Sequence, residues 1–133
     1  MLELALDYQR EEPVPLFRIA EKQGISERYL EQMMTFLRRG GLVRSVRGAQ
    51  GGYLLAREPA NITSGEIVRC LEGPISPADC VNEAGPEQCT RSEYCVTRGL
   101  WEKVGKSVAE VLDNTTLEDL CQETEIASWV QKN

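Results

Sequence analysis

Three cysteines lie close together in the middle of the sequence, at Cys80, Cys89 and Cys95. Cysteine thiolates are soft ligands that suit iron–sulfur clusters and zinc. The spacing, Cys-x8-Cys-x5-Cys, matches neither of the common four-cysteine ferredoxin patterns nor a zinc knuckle that begins with Cys-x2-Cys. It therefore indicates three candidate metal ligands and leaves the metal open. Three reduced thiols that hold no metal are the alternative.

A fourth ligand for such a centre has to be another residue type, because the sequence contains no histidine. A small external thiol or a water molecule could serve. We expect Cys70 to pack in the core, since it falls on the apolar face of a predicted helix, and Cys121 to be structural. The candidates within the chain are nevertheless these two cysteines and the nearby carboxylates: Asp79, Glu83, Glu87, Glu93, Cys70 and Cys121.

The lack of histidine also bears on catalysis. It removes every Ser-His and Cys-His pair, and the sequence has no Cys-x-x-Cys redox pair. The glycine-rich stretch 48–52 precedes a strand pattern, whereas a phosphate-cradling loop would precede a helix. We therefore predict that the protein is not an enzyme.

The chain has 133 residues, the size of one ordinary domain with at most a small appendage. Hydrophobic residues make up 41% and charged residues 27%, which is compatible with a packed core. No apolar run approaches the roughly 20 residues of a membrane span, and no signal peptide is visible. Together with an odd number of cysteines, five, this pattern favours reduced thiols in a soluble, cytoplasmic protein with no membrane partner.

The net charge of −6 is unevenly distributed along the chain. Residues 1–56 sum to +1 and residues 57–133 to −7. The segment from Arg38 to Arg57, both included, contains five arginines and no acidic residue. Overall acidity disfavours non-specific binding of polyanions, but a local arginine patch can still grip phosphate.

The basic patch begins in a predicted helix-turn-helix. Ser26 is a typical N-cap, and the apolar residues after it recur at spacings of three and four as far as Arg39. A shorter helix precedes it, from Leu16 to Gly24, and Gly24 is a natural residue for a helix end. Two helices joined by a short glycine-containing turn are typical of a helix-turn-helix.

A β-hairpin is predicted directly after these helices. Residues 42–46 alternate and are β-branched, residues 48–52 form a glycine-rich turn, and residues 53–55 form the return strand. This arrangement is called a winged helix. The predicted fold class is mainly α with a small β-hairpin wing, in which a winged helix-turn-helix domain precedes a long C-terminal helix.

Other helices are predicted on both sides of this unit. A first amphipathic helix covers Met1 to Gln9 and has no N-cap. After the hairpin, Thr63 or Ser64 caps a helix that ends at Gly73.

The C-terminal half combines a loop with a long helix. Residues 74–93 contain prolines and glycine without any periodicity, so they are predicted to form a loop. A long helix runs from about Tyr94 to Asp113, and a short final helix follows Thr116, with Trp129 in a fraying end. The long helix carries apolar residues at coiled-coil spacing: Trp101, Val104, Val108 and Val111.

The sequence resembles the IscR/CymR/NsrR family of winged helix-turn-helix bacterial transcription regulators. The likeness is collinear from residue 1 to about 122 and includes the three loop cysteines. By this resemblance, residues 1–73 are a DNA-binding domain, residues 74–95 a cysteine-bearing loop, and residues 96–133 a dimerisation helix with a tail. The segments that carry it are Ser26–Gln32, Gly41–Val43, Val46–Gly48, Gly51–Leu55, Ile67–Arg69, Leu71–Ile75 and Thr115–Leu120.

The resemblance also implies partners and a cofactor. A homodimer would form through the long helix around Trp101–Leu112 and bind double-stranded DNA at a palindromic operator, as a repressor. Cys80, Cys89 and Cys95 would hold an iron–sulfur cluster, 2Fe–2S in preference to 4Fe–4S, which senses iron–sulfur status, redox state or nitric oxide. Ordering of the loop would then set the separation of the two recognition helices.

The same likeness indicates which side chains meet DNA. The first turns of a recognition helix face base edges, where Arg pairs with guanine, Gln with adenine and Glu with cytosine N4. An arginine at the hairpin tip enters a minor groove or holds a phosphate. A solvated helix face is the alternative. The predicted DNA-binding residues are Ser26, Arg28, Tyr29, Glu31, Gln32, Arg38 and Arg47.

Two departures from the family pattern leave other functions open. Family chains begin about ten residues earlier, so the first helix is expected to be truncated. Arg98 stands where cluster-binding members often have a histidine. One rival is a CymR-like regulator of cysteine and sulfur metabolism that has no cluster and acts through a protein partner, as the segment Gly73–Pro77 suggests. The other is a dimeric interaction module that has lost DNA binding.

Overall fold

The computed structural model describes residues 1–85 and 89–132, with side chains described as far as Ala127. Six helices and one hairpin make up the fold, joined by short 3-10 turns at Tyr8–Arg10, Pro59–Asn61 and Asp79–Val81. In chain order the elements are α1 Leu2–Leu6, α2 Leu16–Gln23, α3 Glu27–Arg39, β1 Val43–Val46, β2 Gly52–Leu55, α4 Ser64–Glu72, α5 Arg98–Asp113 and α6 Leu117–Lys132.

The helix-turn-helix consists of α2 and α3. α2 ends at Gly24, whose φ of 64° places it in the left-handed region that glycine tolerates. The hydroxyl of Ser26 accepts a hydrogen bond of 3.2 Å from the backbone amide of Tyr29 and so caps α3. These are the boundaries that the glycine and the N-cap predict.

The hairpin pairs β1 with β2 in an antiparallel register that runs from Val43 opposite Leu55 to Val46 opposite Gly52. A Cβ at Gly51 would overlap the carbonyl oxygen of Val46. The glycine-rich turn is therefore needed for close approach of the backbone, whatever it contacts outside the protein.

Residues 62–64 attach the winged part of the chain, residues 1–73, to the last helix. Thr63 and Glu66 form a reciprocal capping box at the start of α4. The amide of Ser64 donates to the carbonyl of Thr115 at 2.8 Å, and the amide of Leu117 donates to the carbonyl of Ile62 at 3.0 Å. Ile62 and Leu117 are both almost fully buried in the one core cluster. We call this attachment the 62–117 junction.

Three helix boundaries differ from the predicted ones. α1 ends at Leu6 rather than Gln9, because the chain tightens into a 3-10 turn and Glu11 adopts a left-handed φ of 54°. α5 begins at Arg98 rather than Tyr94. α6 continues to Lys132 rather than ending as a short helix, since it packs along α1 and the turn Pro59–Asn61. The predicted fraying at Trp129 concerns a side chain outside the described residues.

The late start of α5 has a local cause. Residues 89–97 form successive tight turns, in which the amide of Ser92 donates to the carbonyl of Cys89 and the amide of Arg98 donates to the carbonyl of Cys95. Tyr94 and Val96 are 84% and 95% exposed, so no packing holds them in a helix. In the part of the chain that the structure describes, no helix is long and apolar enough to cross a membrane.

Candidate nucleic-acid interface and cysteine loop

The inner face of α3 fixes which of its residues point outward. Leu30, Met34 and Leu37 recur at spacings of four and three and are buried in the core. At 3.6 residues per turn, the line opposite this face starts at Arg28. It continues with Gln32, Thr35 and Arg39, at four, seven and eleven residues after Arg28.

The other predicted residues of α3 flank this outer line. Glu31 and Arg38 are exposed on one side, and Tyr29, which is 56% exposed, lies on the other. Tyr29 is therefore not part of the core. Ser26 is exposed at the start of the helix, where its hydroxyl already serves as the N-cap.

Three further residues of α3 were not among the predicted DNA-binding residues. Arg39 belongs to the arginine patch that begins at Arg38, and it lies on the outer line. Thr35 is half-buried on the outer line, and its hydroxyl donates to the carbonyl of Glu31 at 3.0 Å. Phe36 is 50% exposed beside the outer line, seven residues after Tyr29. Helical spacing counted from Arg28 would have found all three.

The wing adds a second set of arginines. Arg47 is exposed where β1 ends, directly before Gly48, whose φ is 116°. Arg57 at the end of the patch is occupied, because it bonds Glu66 at 2.8 Å and the carbonyl of Asn61 at 3.0 Å. In the described part of the chain, the remaining cations of this surface make no ion pair: Arg28, Arg38, Arg39, Arg44 and Arg47. Their charges are available for an anionic partner such as a phosphate backbone.

The three loop cysteines are free thiols. Cys80 lies in the turn Asp79–Val81, which packs on α5, whereas Cys89 is exposed and Cys95 precedes α5 by three residues. Among the described residues, no three Cys, His, Asp or Glu side chains come close enough together to hold a metal ion. The donors are of the right kind for an iron–sulfur cluster, but in this conformation they do not fit one.

The thiol of Cys95 is in contact with the residues that lead into α5. A hydrogen bond with the hydroxyl of Thr97 at 3.3 Å lowers its pKa, and the backbone of Thr97 and Arg98 acts in the same direction. Arg98, at the position of the missing histidine, instead pairs with Glu102 at 3.1 Å.

Among the other candidate ligands, Cys70 and Glu83 are engaged elsewhere, and Glu87 lies outside the described residues. Cys70 packs against the core and its thiol donates to the carbonyl of Phe36 at 3.2 Å, as its predicted helix face required. Burial raises the pKa of Cys121, with further contributions from Glu125 and Glu118. Glu83 is bound by the guanidinium of Arg69.

That guanidinium belongs to Arg69 of α4. Its Nε and Nη2 donate to the two carboxylate oxygens of Glu83 at 2.6 and 3.1 Å, and its Nη1 and Nη2 donate to those of Asp113 at 2.5 and 3.0 Å. The amide of Ile75 also donates to Glu83, at 2.9 Å. These bonds lower the pKa of both carboxyls and raise that of Arg69. We call the three side chains the Arg69 cluster.

α5 presents an apolar face to solvent. Its members recur at the spacing that the sequence predicted, and each is between 36% and 65% exposed: Leu100, Trp101, Val104, Val108 and Val111. Exposed apolar side chains gathered on one helix face are typical of interaction surfaces.

Comparisons with known proteins agree with this architecture. The profile of one protein family, described as "Rrf2: Iron-dependent Transcriptional regulator", matches residues 1–123. The chain is 46% identical to the HTH-type transcriptional regulator CymR of Bacillus subtilis over 125 residues, which cover 94% of this chain and 83% of CymR. It is 39% identical to the HTH-type transcriptional regulator IscR of Pectobacterium atrosepticum over 126 residues, 95% of this chain and 74% of IscR.

Solved structures lead to the same group. CymR (YrzC), the global cysteine regulator of B. subtilis, superposes with a TM-score of 0.77 at 46% identity, over 92% of this chain and 87% of that one. T. potens IscR superposes with a TM-score of 0.75 at 48% identity, over 95% and 80%. These relatives are transcription regulators and not enzymes, and they confirm the winged-helix fold. The chain belongs to the Rrf2 family of transcriptional regulators.

Proposed function

We propose that the protein is a homodimeric repressor that binds a palindromic operator through α3 and the wing. The observation that carries this proposal is the outward surface of α3 and the hairpin. Five arginines on it have no ion-pair partner within the described residues, although acidic residues dominate the second half of the chain.

Each part of this surface has a distinct task. Arg28 and Gln32 lie on the outer line of α3, where they reach base edges in the major groove, and Glu31 accepts from cytosine N4. Ser26 contributes through its position at the N-terminal end of α3. Tyr29 lies against the groove wall. Arg38 and Arg47 bind phosphates, and Arg47 at the wing tip also reaches a minor groove.

The apolar face of α5 is the proposed dimer interface. Two copies that bury this face against each other would form an isologous, two-fold symmetric contact. A two-fold axis places two recognition helices on one side of a duplex, so the operator has to be palindromic with half-sites about 10 base pairs apart. The proposed division of labour is therefore DNA binding by residues 1–73, signal reception by residues 74–95 and pairing by residues 96–133.

Two signals are candidates for the cysteine loop. An iron–sulfur cluster on Cys80, Cys89 and Cys95 is supported by the likeness to IscR and by three thiols on one loop. Because no three donors come together among the described residues, such a cluster would need the loop to rearrange. A cluster-free response to cysteine status through a protein partner is supported by the likeness to CymR. Iron and sulfide quantitation on anaerobically purified protein, with a visible spectrum, separates them. Stoichiometric iron and sulfide favour the cluster, and their absence after reconstitution favours the second signal.

DNA binding itself is tested by selection. The full chain is incubated with a pool of randomised duplexes, and bound duplexes are amplified and sequenced. Enrichment of a palindrome supports the proposal. A protein that enriches no duplex would instead be the interaction module that has lost DNA binding.

A further inference from the structure

Arg69 lies where three parts of the molecule meet. The arginine itself is on α4, which belongs to the winged part, Glu83 is on the cysteine loop and Asp113 is the last residue of α5. Four hydrogen bonds connect the guanidinium to these two carboxylates, so that all three of its nitrogens are used. Each of the other ion pairs among the described residues joins one cation to one carboxylate.

The backbone around this cluster is shaped to admit it. Gly65 lies one turn before Arg69 on α4, and a Cβ there would overlap a carboxylate oxygen of Asp113 and lie 2.7 Å from Nη1 of Arg69. On the loop side, Pro77 approaches α5 so closely that a Cβ at Gly105 would be 2.9 Å from its ring. The first half of the loop is thus held against α4 and α5 together. Cys89 and Cys95 follow these contacts along the chain.

The position of the cluster relative to the 62–117 junction determines what it can control. The junction joins the start of α4 to the α5–α6 turn through backbone hydrogen bonds. The winged part is also held to α6, which packs along α1 and the turn Pro59–Asn61, whereas the orientation of α5 depends on its contacts with α4 and the loop. Arg69, further along α4, supplies a second attachment to α5 through Asp113 and one to the loop through Glu83. These charged hydrogen bonds add to the packing in fixing the orientation of α5 and the loop on α4.

We propose that Arg69 is a positioning residue for operator recognition: through Asp113 and Glu83 it fixes the winged domain against α5 and the loop, and so sets the separation of the two recognition helices. This inference rests on the proposed function, because it requires a dimer on a palindrome. One base pair of added spacing moves a half-site by about 3.4 Å and rotates it by about a tenth of a turn. A dimer held at a fixed orientation rejects such a change, and a loosened dimer tolerates it.

The test uses the palindrome selected by the wild-type protein and versions with the centre shortened or lengthened by one and two base pairs. Asp113→Asn and Glu83→Gln each weaken one arm of the cluster. Gly65→Ala separates Arg69 from Asp113 and removes no charge. Glu102→Gln is the matched control, since it neutralises a carboxylate on α5 outside the cluster. Affinities for all duplexes and thermal unfolding are measured for each variant.

The expected result is a wild-type preference for one spacing by about tenfold or more, in the range of ordinary coupling between sites. Asp113→Asn and Gly65→Ala should reduce that preference to about twofold while a substituted half-site base still weakens binding as in the wild type. Glu102→Gln should keep the wild-type preference.

Two outcomes would overturn the inference. If Asp113→Asn and Gly65→Ala lower the unfolding temperature but keep the wild-type spacing preference, Arg69 only stabilises the fold. If the wild type binds all spacings equally, no orientation is fixed. A wild type that selects no duplex is a separate result, because it removes the proposed function and the inference with it.

Discussion

Val14 and Tyr53 exchange two backbone hydrogen bonds of 2.9 Å, so that the segment before α2 meets the hairpin at an isolated antiparallel bridge. The contact places the wing against the N-terminal part of the chain. Beside it, a Cβ at Gly52 would overlap the carbonyl oxygen of Val14. The orientation of the wing therefore depends on a glycine at position 52.

Replacement of this glycine should destabilise the protein. We expect Gly52→Ala to lower the free energy of unfolding by about 2 kcal/mol, because either the bridge opens or the backbone shifts. Urea unfolding followed by circular dichroism measures the change. Gly99→Ala is the control, since a Cβ there meets nothing within 4 Å. Equal stability of the two variants would show that the bridge does not constrain the wing.

The Arg69 cluster should make stability depend on pH in acid. Its bonds lower the pKa of Glu83 from 4.5 and of Asp113 from 3.8. A carboxyl with a lowered folded-state pKa contributes stability that is fully present above its ordinary pKa and is lost as the pH falls through the folded-state value.

The variant Arg69→Met tests this dependence. The difference in free energy of unfolding between the wild type and Arg69→Met should be constant from pH 7 to about 5 and shrink below about pH 4. Arg18→Met, which removes an arginine that makes no ion pair among the described residues, should show no such trend. A wild-type advantage that persists undiminished at pH 2 would contradict the assignment.

Base contacts and phosphate contacts on α3 should respond differently to substitution. Gln32→Ala should weaken binding to the selected operator by about 1–3 kcal/mol and relax the preference at one base position in each half-site. Competition with operator variants measures this preference. If Gln32→Ala keeps the full sequence preference, the outer line of α3 does not read bases.

Arg38→Gln should instead weaken binding to all duplexes alike. Because one phosphate contact fewer releases fewer counterions, the slope of log affinity against log salt should fall in magnitude by about 1 per subunit. Fluorescence anisotropy at four salt concentrations gives the slope. An unchanged slope would place Arg38 outside the interface.

Pairing through α5 should be sensitive to a charge on its apolar face. Val108 is 45% exposed there, and Val108→Glu would bury a carboxylate in the proposed interface, which is costly without a partner. Sedimentation should show a monomer with weakened operator binding. Lys106→Gln, which makes the same change of charge on the opposite face, should remain a dimer. A dimeric Val108→Glu would move the interface elsewhere.

Local sequence signals predicted the elements that have local causes. Ser26, Gly24 and the spacing of Leu30, Met34 and Leu37 each act within one helix, so α2 and α3 were found at their observed bounds. The predicted start of α5 at Tyr94 was wrong. Tyr94 and Val96 are apolar like the residues of α5, but both are almost fully exposed, so packing does not extend the helix to them.

The Arg69 cluster could not be predicted for the opposite reason. Its partners are 14 and 44 residues away along the chain, and nothing in the local pattern of α4 distinguishes Arg69 from a surface arginine. The bridge from Val14 to Tyr53 likewise joins distant segments. The spacing of the three loop cysteines along the sequence indicated the type of ligand. Whether their thiols come together depends on how the loop folds, which the spacing does not determine.

Whether two copies of the protein read one palindrome is decided by the stoichiometry of the full chain on its selected duplex. Sedimentation equilibrium of the protein with that duplex should give two chains per palindrome and one chain or none per isolated half-site. One chain per palindrome, or an equal affinity for the palindrome and a scrambled duplex of the same length, would contradict a paired regulator that reads DNA through α3.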